Sequence, residues 1–226
     1  MIIIDIISAV PELFGNFFER SILGRAQKKG LVEIKIHDLR DFAINKHGQI
    51  DDYPFGGGPG MVLRIEPIHD CINSIRNSGR KGPVIFLSPD GDQFDQATAN
   101  ELAGTNDHMI LLCGHYKGID ERIRENLVDR EISLGDYVIS GGELGAAIIA
   151  DAVVRLIPGA IGDSTSALTD SFQDGLVAPP VYTRPAQYGD WDVPEILPSG
   201  DEKKINEWKE KQAQSRTEKK RPDKLK

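Results

Sequence analysis

VDREISLGDYVISGGELGAAIIADAVVRLIPG, residues 128–159, is the stretch on which the fold turns. Its first part, 128–140, mixes Val, Ile and Tyr with charged and small residues and holds one or two short strands. The pair Gly141–Gly142 then opens the most apolar helical segment of the chain, whose end is marked by Pro158 and Gly159. A strand that feeds through a glycine turn into a long apolar helix is one unit of an α/β architecture, so the same alternation is expected upstream.

It is there. IIIDIIS (2–8) has the apolar run of a buried strand and is too short for a helix. Pro11 suits a first helical turn, and PELFGNFFERSILGRAQKKG runs amphipathically to Gly30, a suitable residue just past a helix end. LVEIKIHDL (31–39) alternates as a strand. Residues 40–60 lack a period and end in GGGPG (56–60); a loop of this length in a compact domain is usually functional. Phe55 and Met61-Val62-Leu63 flank those glycines and favour a docked loop over a linker. Helical segments follow at 66–79, 95–103 and 119–127, with strands at VIFLSPDG (84–91) and HMILLCG (108–114), each running into a turn.

The expected fold is therefore α/β with a mostly parallel sheet over residues 1–160. Residues 161–177, rich in Gly, Ser, Thr and Asp, form an expected linker. Five prolines between 179 and 198, followed by a charged helix beginning at Asp201, predict a small, mainly helical second domain, 178–226.

Composition narrows the function. An apolar fraction of 39% and a charged fraction of 27% are those of a globular protein with its own core. Two cysteines, Cys71 and Cys113, make no disulfide framework, which points to a reducing, cytoplasmic compartment. No apolar run reaches the roughly 18 residues of a membrane span, and the N-terminus lacks a basic region before its apolar run. The net charge of −8 argues against a uniformly basic nucleic-acid binder. Its distribution is uneven: residues 203–226 hold ten Lys/Arg against four Asp/Glu, leaving 17 against 31 elsewhere. That basic run suits either a limited RNA contact or a solvated charged helix.

Three strand ends open into glycine-containing turns: LSPDG (87–91), LCGHYKG (112–118) and LGDYVISGG (134–142). Ligands of parallel α/β sheets bind beyond the carboxyl ends of strands, so three such loops can line one pocket with backbone groups. The alternative is that the glycines serve only as turns and helix caps. None fits the dinucleotide or P-loop fingerprint. The five histidines lack metal-ligand spacing and no nucleophile elbow is present, so no metal residues are assigned. Arg155, four residues after Asp151, suits a local ion pair; Asp170 suits an N-cap, with Gln173 in capping-box position. Near one pocket, the same carboxylate and guanidinium would instead form a base and an anion stabiliser.

Six ordered blocks carry a resemblance: DDYPFGGGPGMVL (51–63), LCGHYKGIDERI (112–123), SLGDYVISGGEL (133–144), RLIPG (155–159), DSFQDGL (170–176) and YTRPAQY (182–188). In these the chain resembles the tRNA (guanine-N1)-methyltransferase (TrmD) family of the knotted SPOUT superfamily, over essentially its whole length. The resemblance implies a deep trefoil knot at the C-terminal edge of the sheet, which periodicity would not suggest, since threaded chains are almost absent from proteins. It implies that S-adenosylmethionine binds in the knot against Leu87, Ser88, Pro89, Gly114, Tyr116, Leu134, Gly135, Tyr137, Ile139, Gly141 and Gly142, with Gly91, Asp136 and Val138 completing the loops. It implies Asp170 as general base, Arg155 in the same catalytic set, an obligate homodimer with a shared site, and a guanine directly 3′ of the tRNA anticodon as target. Mg2+ dependence also comes with the family, without a ligand motif here. The chain departs from the family pattern at Tyr53, Phe55, Lys117 and Ala178, the last two beside the implied donor and guanine sites. Two other readings of the blocks stay open: a knotted methyltransferase acting on another RNA position, and a non-catalytic RNA-binding protein on the same scaffold. The stretch 160–170 is expected to order on RNA binding.

Overall fold

The computed structural model describes residues 1–105, 107–162 and 169–225, and divides into two compact units, 1–162 and 163–226. The first unit begins with β1 (Ile2–Ser8), followed by 3-10 turns at Pro11–Phe14 and Phe17–Glu19, α1 (Ser21–Lys28) and β2 (Val32–Asp38). A short antiparallel pair, β3 (Asp51–Asp52) and β4 (Val62–Leu63), brackets the glycine-rich loop. Then come α2 (Ile65–Asn77), β5 (Val84–Gln93), α3 (Gln96–Thr105), β6 (His108–Cys113), α4 (Glu121–Leu127), β7 (Arg130–Ser133) and α5 (Glu143–Val154). Five strands form a parallel sheet in the order β2-β1-β6-β5-β7.

Side-chain alternation along β1 and β6 builds a core on each face of the sheet. Ile2, Ile4 and Ile6 with Met109 and Leu111 face α1 and α5, whereas Ile7 with Ile110 and Leu112 faces α2 and α4. All six residues of β6 are buried, the uniform burial of a central parallel strand covered on both sides. Each such Ile or Leu contributes about 1.5–3 kcal/mol relative to exposure.

Three local expectations change. The amphipathic helix over 11–30 is broken into two 3-10 turns and the eight-residue α1. Gly15 (φ +47°) and Ser21 (φ +52°) leave the helical region, while Phe14 and Phe18 stack at 5.1 Å to fill the core; burial of the two rings wins over helical continuity. The strand starting at Val84 continues past its expected turn to Gln93, slipping register against β7 between Leu87 and Asp92. Asp170 starts no helix: residues 169–176 are turns and bends, and the Gln173 N–H donates to the Asp170 carbonyl at 3.5 Å.

Ala160 is buried in the core of the first unit, and the stretch expected to order on RNA binding falls largely on 163–168, outside the described residues. Within the second unit, β8 (Gln187–Tyr188) and β9 (Trp191–Asp192) form a hairpin, and α6 (Glu202–Lys220) is the long helix. Residues expected as linker pack on this helix: Val177 N–H donates to Thr217 Oγ1 at 2.9 Å, and Thr217 is fully buried.

Candidate functional site

The carboxyl ends of β5, β6 and β7 lie side by side in the sheet, so the three loops that leave them converge. They enclose a cavity of about 450 Å³, the size of a small-molecule site. Although β7 is at the sheet edge next to β5, the chain that leaves it docks on the loop after β6, one strand further in. Gly142 N–H donates to the Gly114 carbonyl at 2.9 Å, and His115 bridges to Gly141.

Clearance explains two of the glycines in this seam. A Cβ on Gly142 would sit 2.8 Å from Cys113 Cα, and one on Gly141 would overlap the His115 ring. Gly142 has φ −74°, so close backbone approach, not a left-handed conformation, demands glycine there. Gly135, at φ +144°, is the position where conformation itself requires it.

Behind the seam lies a buried carboxylate. Glu143, 2% exposed in the first turn of α5, accepts the Ser8 hydroxyl at 2.6 Å and pairs with His115 Nε2 at 2.9 Å. The helix N-terminus favours its charge, and His115 carries the connection to the cavity wall. Burial, reinforced by the Glu143 charge, pushes the Cys113 thiol well above its ordinary value. On the next wall, burial first and then a hydrogen bond to Asp51 raise the Tyr116 phenol. At the rim, Arg124 forks onto Glu131 at 2.9 and 2.8 Å, reaches Asp90 at 2.9 Å and lies 5.7 Å from the Phe86 ring centre. Its cationic form is held chiefly by the Glu131 hydrogen bond. Asp90, Glu121 and Arg124 of the cavity wall are thus paired with one another.

The glycine-rich 56–60 loop meets this site at its downstream edge. Lys117 N–H donates to the Met61 carbonyl, Leu63 N–H to Gly118, and the Lys117 stem covers Gly60. Phe55 at its other edge is fully exposed, so docking is confined to one side.

Twelve residues singled out in the sequence line the cavity: Leu87, Ser88, Pro89, Gly114, Tyr116, Leu134, Gly135, Tyr137, Val138, Ile139, Gly141 and Gly142. Gly91 and Asp136 do not. Gly91 is needed elsewhere, because a Cβ there would strike the β7 backbone at Glu131–Ile132. Arg155 caps the far end of α5, its N–H on the Asp151 carbonyl; twelve residues of helical rise put it about 18 Å from Glu143. Asp170 belongs to the second unit. Neither lines the cavity. Ser8, Glu143 and His115 escaped the sequence reading, although an acidic residue opening the most apolar helix is a signal for a buried partner. Among the described residues no three His, Cys, Asp or Glu side chains are placed to hold a metal, and no helix is long and apolar enough to cross a membrane.

The profile of a family described as tRNA (Guanine-1)-methyltransferase TrmD matches residues 2–226. A Bacteroides fragilis protein is 58% identical over 222 residues, covering 98% of both chains. One from Christiangramia forsetii is 56% identical over 222 residues, again 98% of both. A Porphyromonas gingivalis protein is 56% identical over 223 residues, 99% of both. All three carry the name tRNA (guanine-N(1)-)-methyltransferase.

Proposed function

Since the chain belongs to the TrmD family of tRNA (guanine-1)-methyltransferases, we propose that it methylates N1 of the guanine directly 3′ of the tRNA anticodon, with S-adenosylmethionine as donor. The observation that carries this is the cavity at the ends of β5, β6 and β7, walled by twelve residues that the family resemblance assigns to the donor. Its glycine clearances and the pairing of Arg124 with Asp90 and Glu121 suit a ligand read by backbone groups. Bound there, the donor supplies an electrophilic methyl on a sulfonium.

The chain's own residues handle the guanine. N1 carries a proton in the neutral base, and Asp170 accepts it so that the lone pair can attack. Arg155 balances negative charge gathering on O6. The remaining contribution is alignment of N1, which requires the base to be splayed from its stack. Arg155 lies at the opposite end of α5 from the cavity, which supports a homodimer in which one protomer's cavity meets its partner's catalytic residues. Exposed apolar side chains at Val138, Ile139, Leu144 and Ile148 suit burial against a second copy.

We take residues 134–142, docked inward on the loop after β6, as the crossing of the trefoil knot. Residues 1–160 form the methyltransferase domain, 161–177 the link, and 178–226 the tRNA-binding domain. The two buried thiols suit a cytoplasmic setting. No step is assigned to Mg2+.

Tritiated donor and transcripts with G or A after the anticodon test the reading: label enters the G transcript alone, and equal labelling of the A transcript overturns it. Asp170→Ala is expected to lose activity by about 10²–10⁴-fold with donor binding retained; wild-type turnover removes Asp170 as the base.

A further inference from the structure

The proposed base stands two residues before a strained one. Phe172 has φ +73°, a conformation that bulky side chains rarely adopt without something imposing it. The turn around it is closed on itself: Phe172 N–H donates to the Leu176 carbonyl at 2.7 Å, Leu176 N–H to Asp174 at 3.0 Å, and Ala178 N–H to Ser171 Oγ at 3.0 Å. One contact ties it to α6, from Val177 N–H to Thr217 Oγ1 at 2.9 Å; that hydroxyl donates in turn to the Ala213 carbonyl at 2.7 Å.

The Phe172 ring is held by a second grip. The Arg221 guanidinium lies 5.3 Å from its centre and Lys224 Nζ 5.9 Å from it. Arg221 is not a loose surface cation. Its N–H caps α6 on the Thr217 carbonyl at 2.8 Å, and its guanidinium forks onto Asp223 at 3.0 and 2.8 Å, which fixes the plane it presents. Lys224 N–H donates to the Arg221 carbonyl at 3.0 Å. Two cations of the basic run 203–226 are therefore turned toward an internal ring.

We propose that Phe172, clamped beneath Arg221 and Lys224, is a positioning residue that fixes the Asp170 turn in its catalytic conformation, and that this is the work of the segment 221–224. The inference rests on Asp170 as the base. A base must sit within hydrogen-bond reach of its proton, and small misplacements cost large factors in rate. A ring gripped by cations sets the backbone two residues from the carboxylate without touching substrate.

The test compares kcat and KM in full-length Phe172→Ala, Phe172→Leu, Phe172→Tyr, Arg221→Ala and the Phe172→Leu/Arg221→Ala pair, with Asp170→Asn alongside. Phe172→Ala is expected to lower kcat about tenfold, with KM for donor and tRNA within about twofold. Phe172→Leu keeps apolar bulk without a π face and should lose about fivefold, whereas Phe172→Tyr restores turnover. Arg221→Ala should match Phe172→Leu, and the double variant should lose no more than either single one. Wild-type kcat in Phe172→Leu and Arg221→Ala overturns the proposal. So does a raised KM for tRNA with a shallower salt dependence in Arg221→Ala, the signature of a phosphate contact. If Asp170→Asn is inactive while these variants turn over normally, positioning alone has failed; if Asp170→Asn turns over normally, the base assignment has failed.

Discussion

Two buried carboxylates, one in the middle of β1 and one at the carboxyl ends of the strands, show how the same chemistry can serve as a staple or as a site wall. Asp5 on β1 is fully buried and is approached by His37 Nε2 at 2.6 Å, His108 Nε2 at 2.8 Å and Arg80 Nη1 at 2.8 and 3.0 Å. Arg80 also reaches Glu33 at 2.8 Å, and the Gly82 N–H donates to His108 Nδ1 at 2.7 Å. That last bond leaves the proton of a neutral His108 on Nε2, directed at Asp5. The network joins β1, β2, β6 and the approach to β5, and none of its members lines the cavity. Glu143, at the carboxyl ends of the strands, has two partners, and one of them, His115, is part of the cavity wall. Saturation with donors marks structure; a chain of contacts that ends at a cavity marks function.

The largest expected effect separates the two on stability. Burial alone would raise the Asp5 carboxyl, but the hydrogen bonds from His108, His37 and Arg80 outweigh it and hold the group well below its ordinary value of 3.8. Asp5→Ala leaves two imidazoles without their acceptor and Arg80 with Glu33 alone, and should cost about 3–5 kcal/mol, roughly 10 °C in Tm for a chain of this size. Because the folded pKa is depressed, the stabilisation is complete above the ordinary value and is lost as pH falls through the folded one. Urea titrations of wild type and Asp5→Asn should therefore show a gap that is constant from about pH 7 to 5 and narrows below about pH 4. A gap that widens in acid would contradict the network. Donor affinity of the folded Asp5 variants should match wild type.

Glu143→Gln should reverse that pattern. The amide keeps the volume and can still accept from Ser8, but turns an N–H toward His115 Nε2. A stability loss of about 1–3 kcal/mol is expected, together with donor affinity lowered roughly tenfold, read by calorimetric titration. Loss of stability with donor affinity intact would make Glu143 a second staple and erase the contrast.

The same contrast separates what the sequence discloses from what it conceals. Apolar runs at 2–8, 84–87 and 108–113 become strands because burial on both faces of a parallel sheet leaves no room for polar alternation. The glycines at 114, 135, 141 and 142 announce the cavity because a Cβ would meet the Phe86 ring at 114, the His115 ring at 141 and the Cys113 backbone at 142, while Gly135 takes a positive φ. Asp5 and Glu143 were opaque for a different reason. Their partners lie 32, 75 and 103 residues away for Asp5, and 28 and 135 for Glu143, and no local pattern encodes such pairings. An acid inside an apolar strand or helix shows only that partners must exist. The 11–30 segment failed oppositely: Phe14 and Phe18 have helical spacing, yet Gly15 between them releases the backbone. The order β2-β1-β6-β5-β7 depends on crossovers that no single segment specifies.

The two cysteines give the smallest effect and the finest probe, since each sits near one of the two carboxylates. Cys71 on α2 is pushed up to about 12, first by burial and then by the charges of Asp5 and Asp41. Cys113 is raised by complete burial and by Glu143. The thiolate is the reactive form, so neither should react with iodoacetamide at pH 8 over hours in the native protein, and both should react in urea. The variants then divide the two sites. Asp5→Asn removes a repelling charge and loosens packing around Cys71, whereas Glu143→Gln does the same for Cys113. Mass spectrometry should find partial labelling of Cys71 alone in the first variant and of Cys113 alone in the second. Labelling of both cysteines in either variant would mean that the two sites open together, and that the staple and the site wall are one cooperative unit.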